Sequence, residues 1–379
     1  MPETALRVLQ FCHGYDGPFL DCARQYASLF EGTPYRVTTV FLTGRADAAV
    51  ARAVRRTADD EVVFLEYTSR AIRGLKLAAI RDLARLAAET PFDFCIAHRF
   101  KPIYIALLAT RLPVIGVHHA FGDYHRLSRR LFARAFQARL RLLGVSNAVS
   151  DDLRADLSTW PQTHIATLYN RVDPEALRAE QFSRAEARVK LALPPEAWIV
   201  GNVGRLHPDK DQATLIAAFA RALPRLPAGS LLLIMGEGRL EGVLKETART
   251  LGVAGSVRFL GQVPEGRRYF RAFDAFALSS DREPFGMVLL EAMTAELPIV
   301  CSDCGGGREV AAEAGLLFPF GDVAALAERL VELSVLPKNP AYPGNAALRA
   351  RFSLEAGRAA FWRLPLLSGF LPARKDVAC

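Results

Sequence analysis

Residues 198–211 read WIVGNVGRLHPDKD, and this stretch decides the fold. Trp198 to Val203 is a short apolar run broken by Gly201 and followed by Gly204, the mark of a buried strand that ends in a sharp turn. Two cations, Arg205 and Lys210, come directly after it. Glycines at a strand end let a ligand approach the backbone. Cations at the carboxyl end of a parallel strand suit a diphosphate, above all one that gains negative charge as a leaving group.

Outward from this stretch the chain alternates between strand and helix patterns. Downstream, Leu231 to Met235, Val257 to Leu260, Ala275 to Leu278 and Ile299 to Cys301 supply strands that partner residues 198–203. Upstream, Leu6 to Phe11, Tyr35 to Phe41, Glu61 to Tyr67, Phe92 to Ala97, Val114 to Val117 and Leu142 to Val145 form an earlier set, the last closing that half-sheet. Helical patterns separate them at 19–30, 75–88, 103–109 and from about Asn147. Such alternation predicts parallel sheets. The expected fold is α/β, with two Rossmann-like domains facing across a cleft. The expected boundaries are 1–174 for the first domain, 175–352 for the second, and a tail, 353–379, crossing back to the first. Leu336 to Gly344 reads as a Pro-containing loop.

Composition agrees. A chain of 379 residues, 51% hydrophobic and 23% charged, has the length for two cores. No apolar run approaches the roughly 18 residues of a spanning helix, and Met1 to Leu9 lacks the basic and apolar regions of a secretion signal. The cysteines, at 12, 22, 95, 301, 304 and 379, form no dense framework and read as reduced thiols, Cys301 and Cys304 included. The expected location is the cytoplasm. Nine Lys or Arg and one acid, Asp123, lie between Arg99 and Arg141, a surplus equal to the net charge of +8 of the whole chain. A local basic surface of this kind suits an anionic acceptor or membrane face rather than nucleic acid.

Two more motifs follow the quoted stretch. EPFGMVLLE sets Glu283 on an irregular loop, held by Pro284 and Gly286, and Glu291 about two turns into a helix. Both carboxylates can face one cleft, where each would accept paired hydrogen bonds from vicinal sugar hydroxyls. DCGGGREV, from Asp303, is a glycine loop leading into a helix whose free N–H groups could hold an anion, and GLLFPFGD follows from Gly315.

The order and spacing of GRLHPDKD, VRFLGQV, EPFGMVLLEAM, LPIVCSDCGGGREV and GLLFPFGD resemble glycosyltransferase family 4, retaining enzymes of the two-domain B-type fold. The resemblance spans nearly the whole chain and is dense from about Ile199 to Leu330. It implies that Arg205 and Lys210 bind the donor diphosphate, that Glu283 lies beside the donor hexose with the Phe285 and Gly286 amides near the sugar, and that Glu291 takes the ribose hydroxyls. Gly261, Gln262 and Val263 fall where the family holds the base. In the first half the likeness is looser. Gly14 and Gly17 match a glycine loop after the first strand, although the usual adjacent pair is spread out. PVIGVHH, from Pro113, resembles the strand that ends in a His facing the transferred sugar. Spacing favours His119, with His118 as the alternative.

No Asp-x-Asp pair follows a strand to carry a metal, so catalysis without an obligatory divalent cation and without a cofactor is expected. Retention, by front-face attack, is implied by the resemblance alone. AHRFKP, with Arg99 and Lys101 on the acceptor side, further resembles glycosyltransferases that build the lipopolysaccharide core of Gram-negative bacteria. The expected partners are a nucleotide sugar, with UDP-glucose first and rhamnose, N-acetylhexosamine or heptose donors open, and a phosphorylated oligosaccharide or glycolipid acceptor. Residues 124–143, YHRLSRRLFARAFQARLRLL, read as a helix with an apolar stripe on the sheet. Its arginines, Arg126, Arg129, Arg130, Arg134, Arg139 and Arg141, would face solvent, an anionic acceptor or the inner membrane. A nucleotide-sugar epimerase or hydrolase and a catalytically silent sensor are the competing readings. The first needs no basic acceptor face. Against the second, the full set of Arg205, Lys210, Glu283 and Glu291 argues for turnover. No G-x-G-x-x-G follows Leu6 to Phe11, which argues against a dehydrogenase.

Overall fold

The structure, a computed structural model, describes residues 6–336 and 344–371. Most of the loop expected at 336–344, the end of the tail and Cys379 lie outside the described residues. The chain divides into two compact units. One runs to Asn170 and resumes at Leu354, and the other is Arg171–Ser353.

The first unit is a parallel sheet of β1 (Leu6–Cys12), β2 (Tyr35–Thr43), β3 (Glu61–Tyr67), β4 (Phe94–His98), β5 (Val114–His118), β6 (Leu140–Gly144) and β7 (Ile165–Thr167). Their order across the sheet is β3-β2-β1-β4-β5-β6-β7. Central strands such as β4 and β5 are buried along their whole length, as a sheet covered on both faces requires. Residues 142–145 therefore do not close the half-sheet, because β7 pairs beyond β6. The helix Leu354–Trp362 belongs to this unit. Trp362 Nε1 donates to the Leu29 carbonyl at 3.0 Å, and the Phe30 and Phe361 ring centroids are 6.0 Å apart.

The helix expected across 124–143 is shorter than its apolar spacing suggests. It covers Leu127–Ala135, and Leu140 already belongs to β6. A 3-10 turn, Gln137–Arg139, follows it, Arg139 donates to the carbonyls of Leu107, Thr110 and Leu112, and Leu140, Leu142 and Leu143 then enter the sheet as buried strand residues. Leu127 and Leu131 do not pack on the sheet; they are 67% and 57% exposed.

The second unit holds β8 (Ile199–Val203), β9 (Leu231–Met235), β10 (Val257–Gly261), β11 (Ala275–Leu278), β12 (Ile299–Ser302) and β13 (Leu316–Phe318), ordered β10-β9-β8-β11-β12-β13. Its core joins β8, β9 and β12 residues to the helices Gln212–Ala222 and Val323–Val335. Asp274 fixes the start of β8, accepting from the Ile199 N–H at 2.9 Å and pairing with buried Arg188 at 2.8 Å. The glycine inside β8 serves packing: a Cβ on Gly201 would lie 2.2 Å from the Phe273 ring, so this position admits a core aromatic rather than a ligand. Among the described residues no helix is long and apolar enough to cross a membrane.

Candidate functional site

In each unit the strand order reverses once. In the second it does so between β8 and β11, and in the first between β1 and β4. Open parallel sheets bind ligands outside the carboxyl ends of the strands at such points, because the loops there part to opposite faces and leave a crevice.

At the β8/β11 point two loops meet. The loop after β8 carries Gly204, Arg205 and Lys210, and the one after β11 carries Glu283, Phe285 and Gly286. Ser279 Oγ donates to the Lys210 carbonyl at 3.0 Å, and the Asp281 N–H donates to the Asp209 carbonyl at 3.1 Å. The Lys210 ammonium then lies 2.5 Å from Glu283 Oε2, which also accepts from Ser280 Oγ at 3.3 Å. Lys210 and Glu283 side chains are 18% and 11% exposed. Arg205 is far more open, 72% exposed, with Asp209 Oδ2 3.7 Å from its guanidinium. The other Asp209 oxygen meets His207 Nδ1. Above Gly204 a Cβ would find only the Lys210 side chain, at 3.9 Å, so the backbone is open there.

Gly286, at φ 92°, turns the chain into the helix Met287–Thr294. Glu291 stands one turn into this helix instead of two, because the helix begins at Met287. Phe285 is buried against Phe352. The glycine run after Asp303 is a correction. Gly305, Gly306 and Gly307 are not a loop before the helix but its first turn. The Gly306 N–H is spent on the Glu283 carbonyl at 2.7 Å. A Cβ at Gly305 would stand 2.4 Å from the Glu283 carbonyl oxygen, and one at Gly306 would stand 2.2 Å from that of Pro284. These glycines seat the Glu283 loop rather than cradle an anion. β10 ends at Gly261, φ 64°, whose carbonyl accepts from the Gly236 N–H at 2.8 Å. The Gln262 N–H donates to Glu237 at 3.2 Å, which sets Gly261, Gln262 and Val263 beside the turn after β9.

At the β1/β4 point of the first unit lie His13 and Gly14, then His98, Arg99 and Lys101. Arg99 has φ 73° and ψ 163°, a conformation nearly confined to glycine that costs about 1–3 kcal/mol. Its N–H donates to the Val117 carbonyl at 2.8 Å, and its guanidinium lies 5.0 Å from the Phe19 ring centroid. Burial, with Arg99 and Lys101 nearby, pushes His13 down to about 4. Burial and its neighbours Arg99, Arg73 and Arg129 lower Lys101 as well. The crevice is positive.

The two adjacent histidines differ. His118 is fully buried, its Nδ1 2.6 Å from Asp123 Oδ2. Burial alone would raise Asp123, but the His118 hydrogen bond and the His118 and Arg129 charges hold it below the usual carboxylate range. His119 is half-buried. It shares a hydrogen bond with His98 at 3.1 Å, stacks on that ring, and has Cys22 Sγ 3.8 Å from its Nδ1. The packing around it, with His118 and Arg99, pushes it down to about 3, so it is a neutral imidazole at any ordinary pH. Gly14 abuts Thr43, whose Oγ1 would lie 2.7 Å from a Cβ there, whereas Gly17, φ 57°, makes an open turn.

Sequence reasoning missed His13 and His98, which gain meaning only from strands that are neighbours in the sheet but distant in the chain, and Asp209 and Ser280, whose contacts with Arg205 and Glu283 are local but are set by loop geometry that shows no period. Among the described residues one trio, His125, Asp152 and Asp156, brings possible metal-ligand atoms within 4.8 Å of one another, and none of the three belongs to the Arg205 or Glu283 loops.

The family described as "Glycosyl transferases group 1" matches residues 183–349, and "Glycosyltransferase Family 4" matches residues 24–176. The lipopolysaccharide core biosynthesis glycosyltransferase LpsE of Rhizobium meliloti (strain 1021) is 35% identical over 182 residues, 47% of this chain and 52% of that protein. The D-inositol 3-phosphate glycosyltransferase of Segniliparus rotundus is 29% identical over 62% of this chain and 58% of its own. The chain thus spans little more than half the length of these curated relatives. Among solved structures, a glycosyltransferase from Rickettsia africae superposes with a TM-score of 0.79 at 15% identity, over 96% of this chain and 98% of that one. Anabaena HepE, solved with UDP and glucose, superposes with a TM-score of 0.73 at 20% identity, over 96% and 100%. The fold is the two-domain B-type glycosyltransferase fold, and the chain resembles lipopolysaccharide core glycosyltransferases.

Proposed function

With both halves belonging to glycosyltransferase families, we propose that this chain transfers a hexose, first of all glucose from UDP-glucose, to a lipopolysaccharide core oligosaccharide with retention. The observation that carries the reading is the meeting of Arg205, Lys210 and Glu283 at the β8/β11 reversal, two cations for a diphosphate and a carboxylate for a hexose. In this mechanism the acceptor hydroxyl oxygen attacks the anomeric carbon from the face the phosphate leaves. The sugar–phosphate C–O bond breaks, and the hydroxyl proton passes to the departing phosphate oxygen. Arg205 and Lys210 stabilise the charge that gathers there. In the first unit Arg99 and Lys101 bind an anionic group of the acceptor, with His13 adding a donor beside them. The enzyme works at the cytoplasmic face of the inner membrane. The direct test is to incubate the protein with a panel of nucleotide sugars and truncated core acceptors. Transfer from one donor to a phosphorylated acceptor is the expected result. Hydrolysis or epimerisation with no acceptor product would overturn it.

The two glutamates divide the donor between them. Glu291→Ala should weaken binding of bare UDP, whereas Glu283→Ala should chiefly impair transfer, because the first faces ribose and the second hexose. Titration calorimetry with UDP alone decides this, and equal losses in both variants would sink it. Saturating EDTA should leave at least about half the rate, since protein cations hold the diphosphate. Complete loss, restored by magnesium or manganese, would refute the metal-independent mechanism.

A further inference from the structure

The donor cations are already neutralised before any donor arrives. Lys210 is paired at 2.5 Å with Glu283, both largely buried, and Arg205 has Asp209 at 3.7 Å. A diphosphate entering this site must therefore displace carboxylates, and a carboxylate left beside it repels it. For Lys210 the exchange is strong, because a close, poorly solvated ion pair is what it replaces. For Arg205 it is weak, because both partners are exposed to water and screened.

We infer that Glu283, besides meeting the hexose, is the internal counter-anion that expels the nucleoside diphosphate product. This rests on the reading of residues 204–210 and 283 as the donor site. While the intact donor is bound, hydroxyls of the hexose engage Glu283 and leave Lys210 to the phosphate. Once the hexose has gone, Glu283 loses those hydroxyls and returns to Lys210, and the product is left with Arg205 alone. Ser280, fully buried and donating to the same Glu283 oxygen, keeps the carboxylate poised for that return. Its own carbonyl is fixed by Ser302 Oγ at 2.5 Å and Cys304 Sγ at 2.9 Å, so the returning geometry is built into the loop.

The test is UDP binding by titration calorimetry to the wild-type chain, Glu283→Gln, Asp209→Asn, Lys210→Met and the Glu283→Gln/Lys210→Met pair. Glutamine keeps the hydrogen-bonding shape and removes the charge. Glu283→Gln should bind UDP about tenfold more tightly, the scale of one close charge pair, and Asp209→Asn only about twofold more tightly. In the Lys210→Met background Glu283→Gln should bring no tightening, which separates competition for Lys210 from general loss of negative charge. Thermal melting of each variant confirms that the binding species is folded. UDP affinity unchanged or weakened in Glu283→Gln, or equal tightening with and without Lys210, overturns the inference while leaving the donor site in place. Failure of the wild-type chain to bind UDP, GDP, ADP or TDP overturns the donor-site reading itself.

Discussion

Lys210→Ala and Arg205→Ala should each lower turnover by a factor of about 100 or more, the loss expected when one group that stabilises transition-state charge is removed, roughly 3 kcal/mol. The two variants carry different information. Lys210 is half-buried and paired with Glu283, so its removal also leaves a buried carboxylate without its cation. Some destabilisation should accompany the lost rate there. Arg205 is 72% exposed, and its only described ion pair, with Asp209, is a surface one. Its removal should cost the fold almost nothing. A hundredfold loss in Arg205→Ala with an unshifted melting temperature is thus the cleaner sign that phosphate charge is what these residues serve. Near-normal turnover in both variants, with circular dichroism unchanged, would falsify the diphosphate role.

Much of the strand frame that carries these loops is legible in the sequence for a physical reason. Strands buried on both faces read as short continuous apolar runs, and residues 231–235 and 275–278 carry that signal undiluted, while Gly201 and Asn202 interrupt it in residues 199–203. The misses have equally physical causes. β7 and β13 span three residues each, too few to show any period. The glycines at 305–307 announce a missing Cβ, but not what fills its place, which is the backbone of residues 283–285 at Gly305 and Gly306 and the Cys301 sulfur and Glu283 side chain at Gly307. The ion pair between Lys210 and Glu283 joins residues 73 apart in the chain. It depends on β8 and β11 being neighbours, a fact of sheet order that no local window contains. The helical spacing over 124–143 overstates the helix because leucine and arginine recur at that spacing on both sides of Arg139. The helix stops at Ala135, and Arg139, in the 3-10 turn that follows, is held by the carbonyls of Leu107, Thr110 and Leu112.

That correction sharpens the expectation for the basic segment. A variant combining Arg126→Gln, Arg134→Gln, Leu127→Ser and Leu131→Ser should lose about 100-fold or more of its binding to anionic vesicles. Four of the six arginines in 126–141 are occupied structurally. Arg129 pairs with Asp123 and lies over Phe100, Arg130 donates to the Tyr124 and His125 carbonyls, and Arg139 and Arg141 donate to further carbonyls. Replacing these would disturb the fold. Arg126 and Arg134 are exposed and have no such structural duty among the described contacts, and on the same helix segment Leu127 and Leu131 stand open to solvent. A second exposed pair, Leu75 and Leu77, 66% and 68% exposed, flanks Lys76, whose ammonium lies 4.7 Å from the Tyr104 ring. Tyr104 in turn lies 4.9 Å from Phe132 of the helix Leu127–Ala135, so two aromatic rings link Lys76 to that helix. Exposed leucines between cations are costly in water and match a headgroup layer, where each cation contributes about 1 kcal/mol and each leucine about as much again on partial burial. Two cations and two leucines lost together therefore sum to about 3–4 kcal/mol, the hundredfold or more expected. Co-sedimentation should show the wild-type chain on phosphatidylglycerol vesicles but not on phosphatidylcholine ones, with binding fading as salt rises. Transfer to a water-soluble truncated acceptor should be unaffected by the variant, while transfer to the lipid-linked acceptor falls. If vesicle binding and lipid-linked transfer both persist in the folded variant, this surface does not hold the enzyme at a membrane.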